Sequence, residues 1–561
     1  MIERSRTFTE FKELLRQHGL TQEFPLAVMD EVSKIPEQIP EEEFARRRDL
    51  SDMTIVTIDG EDAKDLDDAI SVERLSDGNY LLGVHIADVS WYVRANTELD
   101  DEAFNRGTSV YLVDKVVPML PKKLSNGLCS LNPHKPRLTV SCFMTIDESG
   151  GVIDYELCES FIVSKARMTY TKVTKVLDGD MAARSEFSDL VPTFELMREL
   201  ALILRDKRMR RGSIDFDFPE PKIITDDDGR AVDVKLYENT VSNKIIEEFM
   251  LAANETVARH MSSLELPLVY RVHEKPTEDK IERFVNLVRS MNYRFKMKKS
   301  ISPKAMQNLL FQIEGKPEQL MLSTMMLRSF MKARYSNENL GHFGLAADYY
   351  CHFTSPIRRY PDLMVHRILR EWLNGRLDKK RIALYAKLTK DAAEQSSDTE
   401  VGAVEAERDW VSYKMCEYME DKVGQDFDGI ISSVTSFGIF IQLPNTIEGL
   451  IRMSDLNDDY YEFDEATMTL VGRHTRRTYR IGESIRVRLA RVAKDVKQID
   501  FVPVEAFNEK KPLRKKQRAE DDKDSEAAHK EVKRKNGRKS KQKTRTRSGH
   551  KARGAKQKGK A

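Results

Sequence analysis

Hydrophobic and polar positions along the chain change period several times, and each change marks an element or a boundary. Phe8, Phe11, Leu14 and Leu15 fall at helical spacing, and Ile35-Pro36 and Ile39-Pro40 break the helix that follows. From residue 53 the pattern alternates as strands do, in residues 53–58, 80–89, 109–113 and 138–146. A helical period returns in residues 243–259, where Ile246, Met250, Ala253 and Val257 share one face, and residues 320–334 form a second candidate helix. Residues 379–418 predict a charged helical pair. After Gly424 short alternating strands with glycine turns resume, including Phe437-Gly-Ile-Phe440 and Ile485-x-Val487-x-Leu489. That spacing predicts a small five-stranded barrel. The expected architecture is α+β and multidomain. It comprises a helical lead-in and linker (1–52), a mixed α/β domain (53–378), a helical connector packing on it (379–423), the barrel (424–504) and a disordered Lys/Arg-rich tail (505–561).

Composition narrows the class. In 561 residues, 40% are hydrophobic and 33% charged, which suits several well-cored domains in a soluble protein. No apolar run approaches a membrane span, and Met1-Ile-Glu-Arg-Ser-Arg lacks the apolar centre of a signal peptide. Five scattered cysteines without CxxC spacing fit a reducing cytoplasm better than a zinc site or a disulfide framework. The net charge of +1 conceals a division. Residues 509–561 hold 22 Lys+Arg and 7 Asp+Glu, a local +15, which leaves −14 for the rest. Such a tail suits a polyanion, and its few apolar residues predict disorder.

Two stretches carry candidate chemistry. Between Asp59 and Asp68 lie five aspartates and one glutamate, on a loop between two predicted strands. Carboxylates at this density repel one another unless cations sit between them, and oxygen-only donors suit Mg²⁺ or Mn²⁺. The spacing does not match a helix-loop-helix Ca²⁺ loop. The second stretch is His352-Phe-Thr-Ser-Pro-Ile-Arg358-Arg359-Tyr-Pro-Asp362. Thr354 or Ser355 is expected as N-cap and Pro356 as first helical residue, which puts Arg358 and Arg359 in the first turn. Arginines there oppose the helix dipole and are better explained by a bound phosphate. The competing expectation is an arginine paired to Asp362 or Glu371. In the barrel, Phe437 and Phe440, with Arg452, His474 and Tyr479, are expected to form a stacking and charged face for bases.

Together the two stretches resemble the catalytic domain of the ribonuclease II and ribonuclease R family. Val84-His-Ile-Ala-Asp-Val-Ser, Arg106-Gly-Thr-Ser-Val-Tyr111, Pro118-Met-Leu-Pro and Ile245-Ile-Glu-Glu-Phe-Met-Leu-Ala-Ala-Asn254 are similar too. The barrel resembles that family's S1-type OB-fold, and the basic tail favours the ribonuclease R branch. The resemblance implies processive 3′-to-5′ hydrolysis of RNA with Mg²⁺, releasing nucleoside 5′-monophosphates. It implies that Asp59, Asp65, Asp67 and Asp68 are the metal and catalytic carboxylates, with Asp67 the most critical. Arg358 would hold the scissile phosphate, with Arg359 beside it. Tyr111 and Phe216 would clamp the last bases, a role that periodicity alone does not suggest for Phe216, which reads as core. Glu407 resembles a late helical glutamate near the RNA channel. His85, His273 and His352 are expected to be structural.

Family members carry cold-shock-like barrels before this domain, and here only residues 1–52 precede it. Either a fragment, an internal-start product or a member without those barrels is expected. Further expectations are a cytoplasmic monomer whose partner is single-stranded RNA, with the ribosome or RNA-decay factors as candidate partners of the tail. The alternative is a catalytically silent RNA-binding protein that keeps the fold.

Overall fold

In a computed structural model the described residues are 2–504, apart from 217, 296–300, 317 and 466. The tail at 505–561, expected to be disordered, lies outside them. Helices Ile2–Gln17, Leu26–Lys34 and Glu41–Arg46 lead in, the second ending at Ile35 ahead of Pro36 as the proline predicts. The main sheet follows. Its strands are β1 (Arg48–Asp49), β2 (Val56–Asp59), β3 (Asp68–Arg74) and β4 (Tyr80–Ala87). A small hairpin, β5 (Val110–Leu112) with β6 (Lys115–Val117), stands outside the sheet, which β7 (Pro136–Ile146), β8 (Val152–Val163) and β9 (Ala166–Thr169) complete. The order is β1-β8-β7-β4-β3-β2-β9. Edge strand β1 lies five residues ahead of the boundary expected from the hydrophobic pattern.

The central strands β4 and β7 are buried almost throughout, on both faces of the sheet. Helices Val191–Arg211, Val241–Ser263 and Tyr360–Leu373 join the sheet in one large core. Polar groups inside that core are satisfied in a chain: His85 meets Ser71 (3.0 Å) and Ser141 (2.7 Å), and Ser141 meets Ser160 (2.6 Å). Burial holds the His85 imidazole down at about 3, which keeps it neutral and structural, as expected.

Two elements depart from the sequence-based expectation. Residues 379–419 form one helix of 41 residues, Lys379–Met419, not a pair. It runs against the main domain, and Gly107 shows how closely. That glycine ends helix Glu98–Arg106 with φ 64°, and a Cβ there would lie 2.0 Å from Thr399 Oγ1. Second, the helix after Pro356 begins only at Tyr360, with Pro361 in its first turn. Residues 355–359 are a turn held from outside: Ser109 N donates to the Arg358 carbonyl (2.9 Å), and Tyr360 N donates to the Gly107 carbonyl (2.9 Å). Those bonds use backbone groups that an earlier helix start would have needed.

The barrel forms as its period predicts, closed in the order 426–435, 438–442, 448–452, 498–503, 484–493. Its apolar residues share a second core with helices Glu278–Ser290, Pro303–Ile313 and Gln319–Ser329. The last of these ends five residues before the predicted helix does. Among the described residues no helix is long and apolar enough to cross a membrane.

Candidate active site

Two strands and the loop between them carry the four aspartates 59, 65, 67 and 68. Asp59 closes β2, level with Thr169 of β9, and Asp68 opens β3, level with Ile86 of β4. The loop between them is pinned from below. A short π-helical turn, Lys123–Leu128, delivers Ser130, whose Oγ accepts from Leu66 N (3.1 Å) and donates to the Lys64 carbonyl (2.8 Å). Leu131 N donates to the Leu66 carbonyl (3.0 Å). On the other side Arg167 Nη2 donates to the carbonyls of Glu61 (2.8 Å) and Ala63 (2.7 Å). Neither Ser130 nor Arg167 carries a signal in the sequence, because each acts through backbone atoms across the fold.

Asp67 joins the two chemical stretches. Its side chain is buried, at 4% exposure, and its Oδ1 accepts from Ile357 N (2.8 Å), 290 residues away. Its Oδ2 lies 3.8 Å from Arg358 Nε. Arg358 is itself steered by a bond from Nη2 to Ser355 Oγ (3.0 Å), and its guanidinium stays partly open to solvent. Arg359 does not join it. Its guanidinium makes a two-pronged pair with buried Asp362 (2.9 and 2.7 Å), and Asp362 also accepts from Ser355 N (2.8 Å). Arg359, expected beside Arg358 at the substrate, directs its Nε and Nη2 to a buried carboxylate and so braces the turn that carries Arg358.

Electrostatics single out the aspartates. Burial pushes the Asp59 carboxyl well above its ordinary range, and repulsion from Asp68 and Asp65 adds to it. Burial likewise raises Asp67, against the pull of Arg358 and the Ile357 amide. Asp68 is pushed up to about 6 by burial, against Arg358 and Arg359. Asp59 Oδ2 and Asp67 Oδ2 are buried without a hydrogen-bond donor. Desolvated, mutually repelling, oxygen-only groups with orphaned lone pairs fit a hard divalent cation. Among the described residues no three His, Cys, Asp or Glu side chains converge as a ready-made ligand set. Tyr170, which the sequence reading missed, lies near Asp68 and Asp59; burial and those two charges raise its phenol.

The remaining candidates are dispersed. Tyr111, on β5, donates its hydroxyl to Asp65 Oδ2 while 37% of the residue remains exposed, so a ring stands beside the acidic loop. Phe216 is half-buried, stacked on Phe218 (centroids 5.8 Å, 13° between planes) and edge-on to Phe330. It packs on the second core, as periodicity alone suggests. Glu407 is exposed on the long helix near Glu220. On the barrel Phe437 is 57% exposed and meets half-buried Phe440 edge-on at 5.9 Å. Tyr479, expected on that face, is buried against Tyr461, and His474 is bound to Asp459.

The RNB domain family matches residues 47–375, and the S1 RNA binding domain family matches residues 420–502. Ribonuclease R 1 of Lactococcus lactis subsp. lactis (strain IL1403) is 45% identical over 87% of this chain, which spans 60% of that protein. Ribonuclease R of Aquifex aeolicus (strain VF5) is 42% identical over 90% of this chain and 72% of its own length. A solved structure of Mycoplasma genitalium RNase R with ribose-methylated single-stranded RNA superposes with a TM-score of 0.83. It is 31% identical and covers 88% of this chain and 78% of its own. The chain belongs to the ribonuclease R family, with an RNB domain followed by an S1 RNA binding domain.

Proposed function

We propose that this chain is a 3′-to-5′ exoribonuclease that hydrolyses single-stranded RNA processively to nucleoside 5′-monophosphates with the help of divalent metal. The observation that carries the reading is the meeting of Asp67 with Ile357 N and Arg358. It makes one centre of a carboxylate loop and a cationic turn, the two halves of a phosphoryl-transfer site. Family membership supports the substrate, and the relative solved with single-stranded RNA supports it further.

Asp59, Asp65, Asp67 and Asp68 would hold Mg²⁺, with Mn²⁺ as alternative. Such an ion, when bound, neutralises the phosphodiester and lowers the pKa of water. The chain's own groups do the rest. Arg358, held by Ser355 but still open, binds the scissile phosphate and opposes the charge that builds on it. Tyr111, fixed through Asp65, offers its ring to the 3′-terminal base, and stacking accepts any base. Phe216 would complete the clamp on the last bases with Tyr111, Glu407 would lie near the RNA channel, and Phe437 and Phe440 of the barrel meet RNA before it enters. The enzyme acts as a cytoplasmic monomer, and the basic tail adds non-specific grip and a contact for the ribosome or RNA-decay factors.

The test is a time course on 5′-labelled single-stranded RNA, with Mg²⁺ and with chelator, for wild type and Asp67→Asn. Conversion of full-length label to a very short remnant by the wild type alone, and only with metal, is expected. Binding without cleavage by both proteins would favour the silent RNA-binding alternative.

A further inference from the structure

A cavity of about 370 Å³ lies outside the acidic loop, and none of the catalytic candidates lines it. It lies between helices Glu41–Arg46 and Tyr360–Leu373, the stretch after Ser90 and the start of the long helix. Its walls carry Trp91, five arginines (46, 94, 367, 370 and 376) and the carboxylates of Glu43 and Glu371. The arginines divide into two kinds. Arg370 is paired with Glu159 (2.6 Å) and Asp88 (3.3 Å), Arg367 with Asp100 (2.6 Å), and Arg46 with Glu159 and Glu43. The two lining carboxylates are themselves held by arginines, Glu43 by Arg46 and Arg47 and Glu371 by Arg381. Arg94 and Arg376 are exposed, and among the described residues neither guanidinium has a hydrogen bond or an ion pair. Arg94 only overhangs the Trp91 ring, at 5.9 Å. In the wall, Arg367 is 6% exposed and its Nε has no hydrogen-bond acceptor. A buried donor left unpaired points to an acceptor from outside the chain.

We propose that this cavity binds a nucleoside monophosphate. Two free guanidiniums match the charge of a phosphate monoester, close to −2 at neutral pH, and Arg is suited to phosphate geometry. The half-buried indole of Trp91 gives a surface on which a base stacks. The volume lies within the range of small-ligand pockets. The site is separate from the acidic loop and needs no metal, so it goes beyond the proposed hydrolysis and does not depend on it.

Calorimetric titration of the full chain with AMP, in chelator, tests it, with adenosine and inorganic phosphate as separate arms. One saturable AMP per chain is expected, with adenosine and phosphate each at least tenfold weaker. Arg94→Ala with Arg376→Ala should weaken AMP at least tenfold at unchanged melting temperature, and Asp67→Asn should leave it unchanged. The proposal is overturned by absence of saturable AMP binding, by phosphate binding as tightly as AMP, by full binding in the double variant, or by loss of binding in Asp67→Asn. Those readouts are separate from RNA cleavage, so either conclusion can fail alone.

Discussion

Asp68 gives the residue scale its sharpest prediction. Its carboxyl has an ordinary value of 3.8 and is pushed up to about 6 by burial, so the metal-free fold takes up a proton between those values. Stability contributed by this group is then highest below about pH 4 and falls as pH rises through 6. In chelator Asp68→Asn should melt above the wild type at pH 7.5, by at most about 3 kcal/mol in stability, and the gap should close towards pH 4. A gap that does not change with pH would contradict the assignment. Added Mg²⁺ should reverse the order at pH 7.5, because the wild type alone keeps the full donor set. Arg358 yields a second prediction: Arg358→Lys keeps the charge but loses the fork that is held by Ser355 and that, as proposed, would bind the phosphate. A fall in turnover of about 10²-fold with RNA affinity within a few-fold is expected from single-turnover kinetics. Both residues were legible in the chain because their chemistry is local: a carboxylate cluster and an arginine pair are visible in any window. Which arginine of the pair is free was not legible, since Asp362 chooses by geometry.

At the scale of elements, legibility followed periodicity and failed where distant backbone intervened. The barrel and the central strands announce themselves by alternation, and proline marks the end of the second helix. The late start of helix Tyr360–Leu373 does not, because Gly107 and Ser109 hold the preceding turn from across the fold. Nor does the buried place of Tyr479, whose strand lies in a three-stranded sheet outside the barrel. Ser130 is the same kind of hidden brace, under the acidic loop. Ser130→Ala removes an acceptor from buried Leu66 N and a donor to the Lys64 carbonyl. A loss of roughly 1–3 kcal/mol is expected by denaturant titration. Half-maximal activity should also need more Mg²⁺, since the aspartates would no longer be held at one height. Unchanged metal demand would mean that Leu131 and Arg167 fix the loop without it.

For the whole molecule, charge and structure divide at nearly the same place. The chain to Val504 forms one unit, its barrel and helical core continuous with the long helix through Cys416 and Met419. That unit carries most of the −14, while residues 509–561 carry +15. On the proposed reading an acidic body repels RNA at long range, so capture at a distance would fall to the tail and cutting to the acidic loop with its bound cation. Removing 509–561 should therefore act on encounter and leave the chemical step alone. Each lysine or arginine that neutralises a phosphate of single-stranded RNA contributes about 0.7 to the slope of log affinity against log salt. If a third of the tail's 22 basic residues engage RNA, truncation should flatten the slope by about 5. Affinity should drop most at low salt, where counterion release is worth most, while single-turnover cleavage of bound RNA stays the same. A slope that survives truncation would move the electrostatic contact onto the body, where Arg94 and Arg376 are exposed cations.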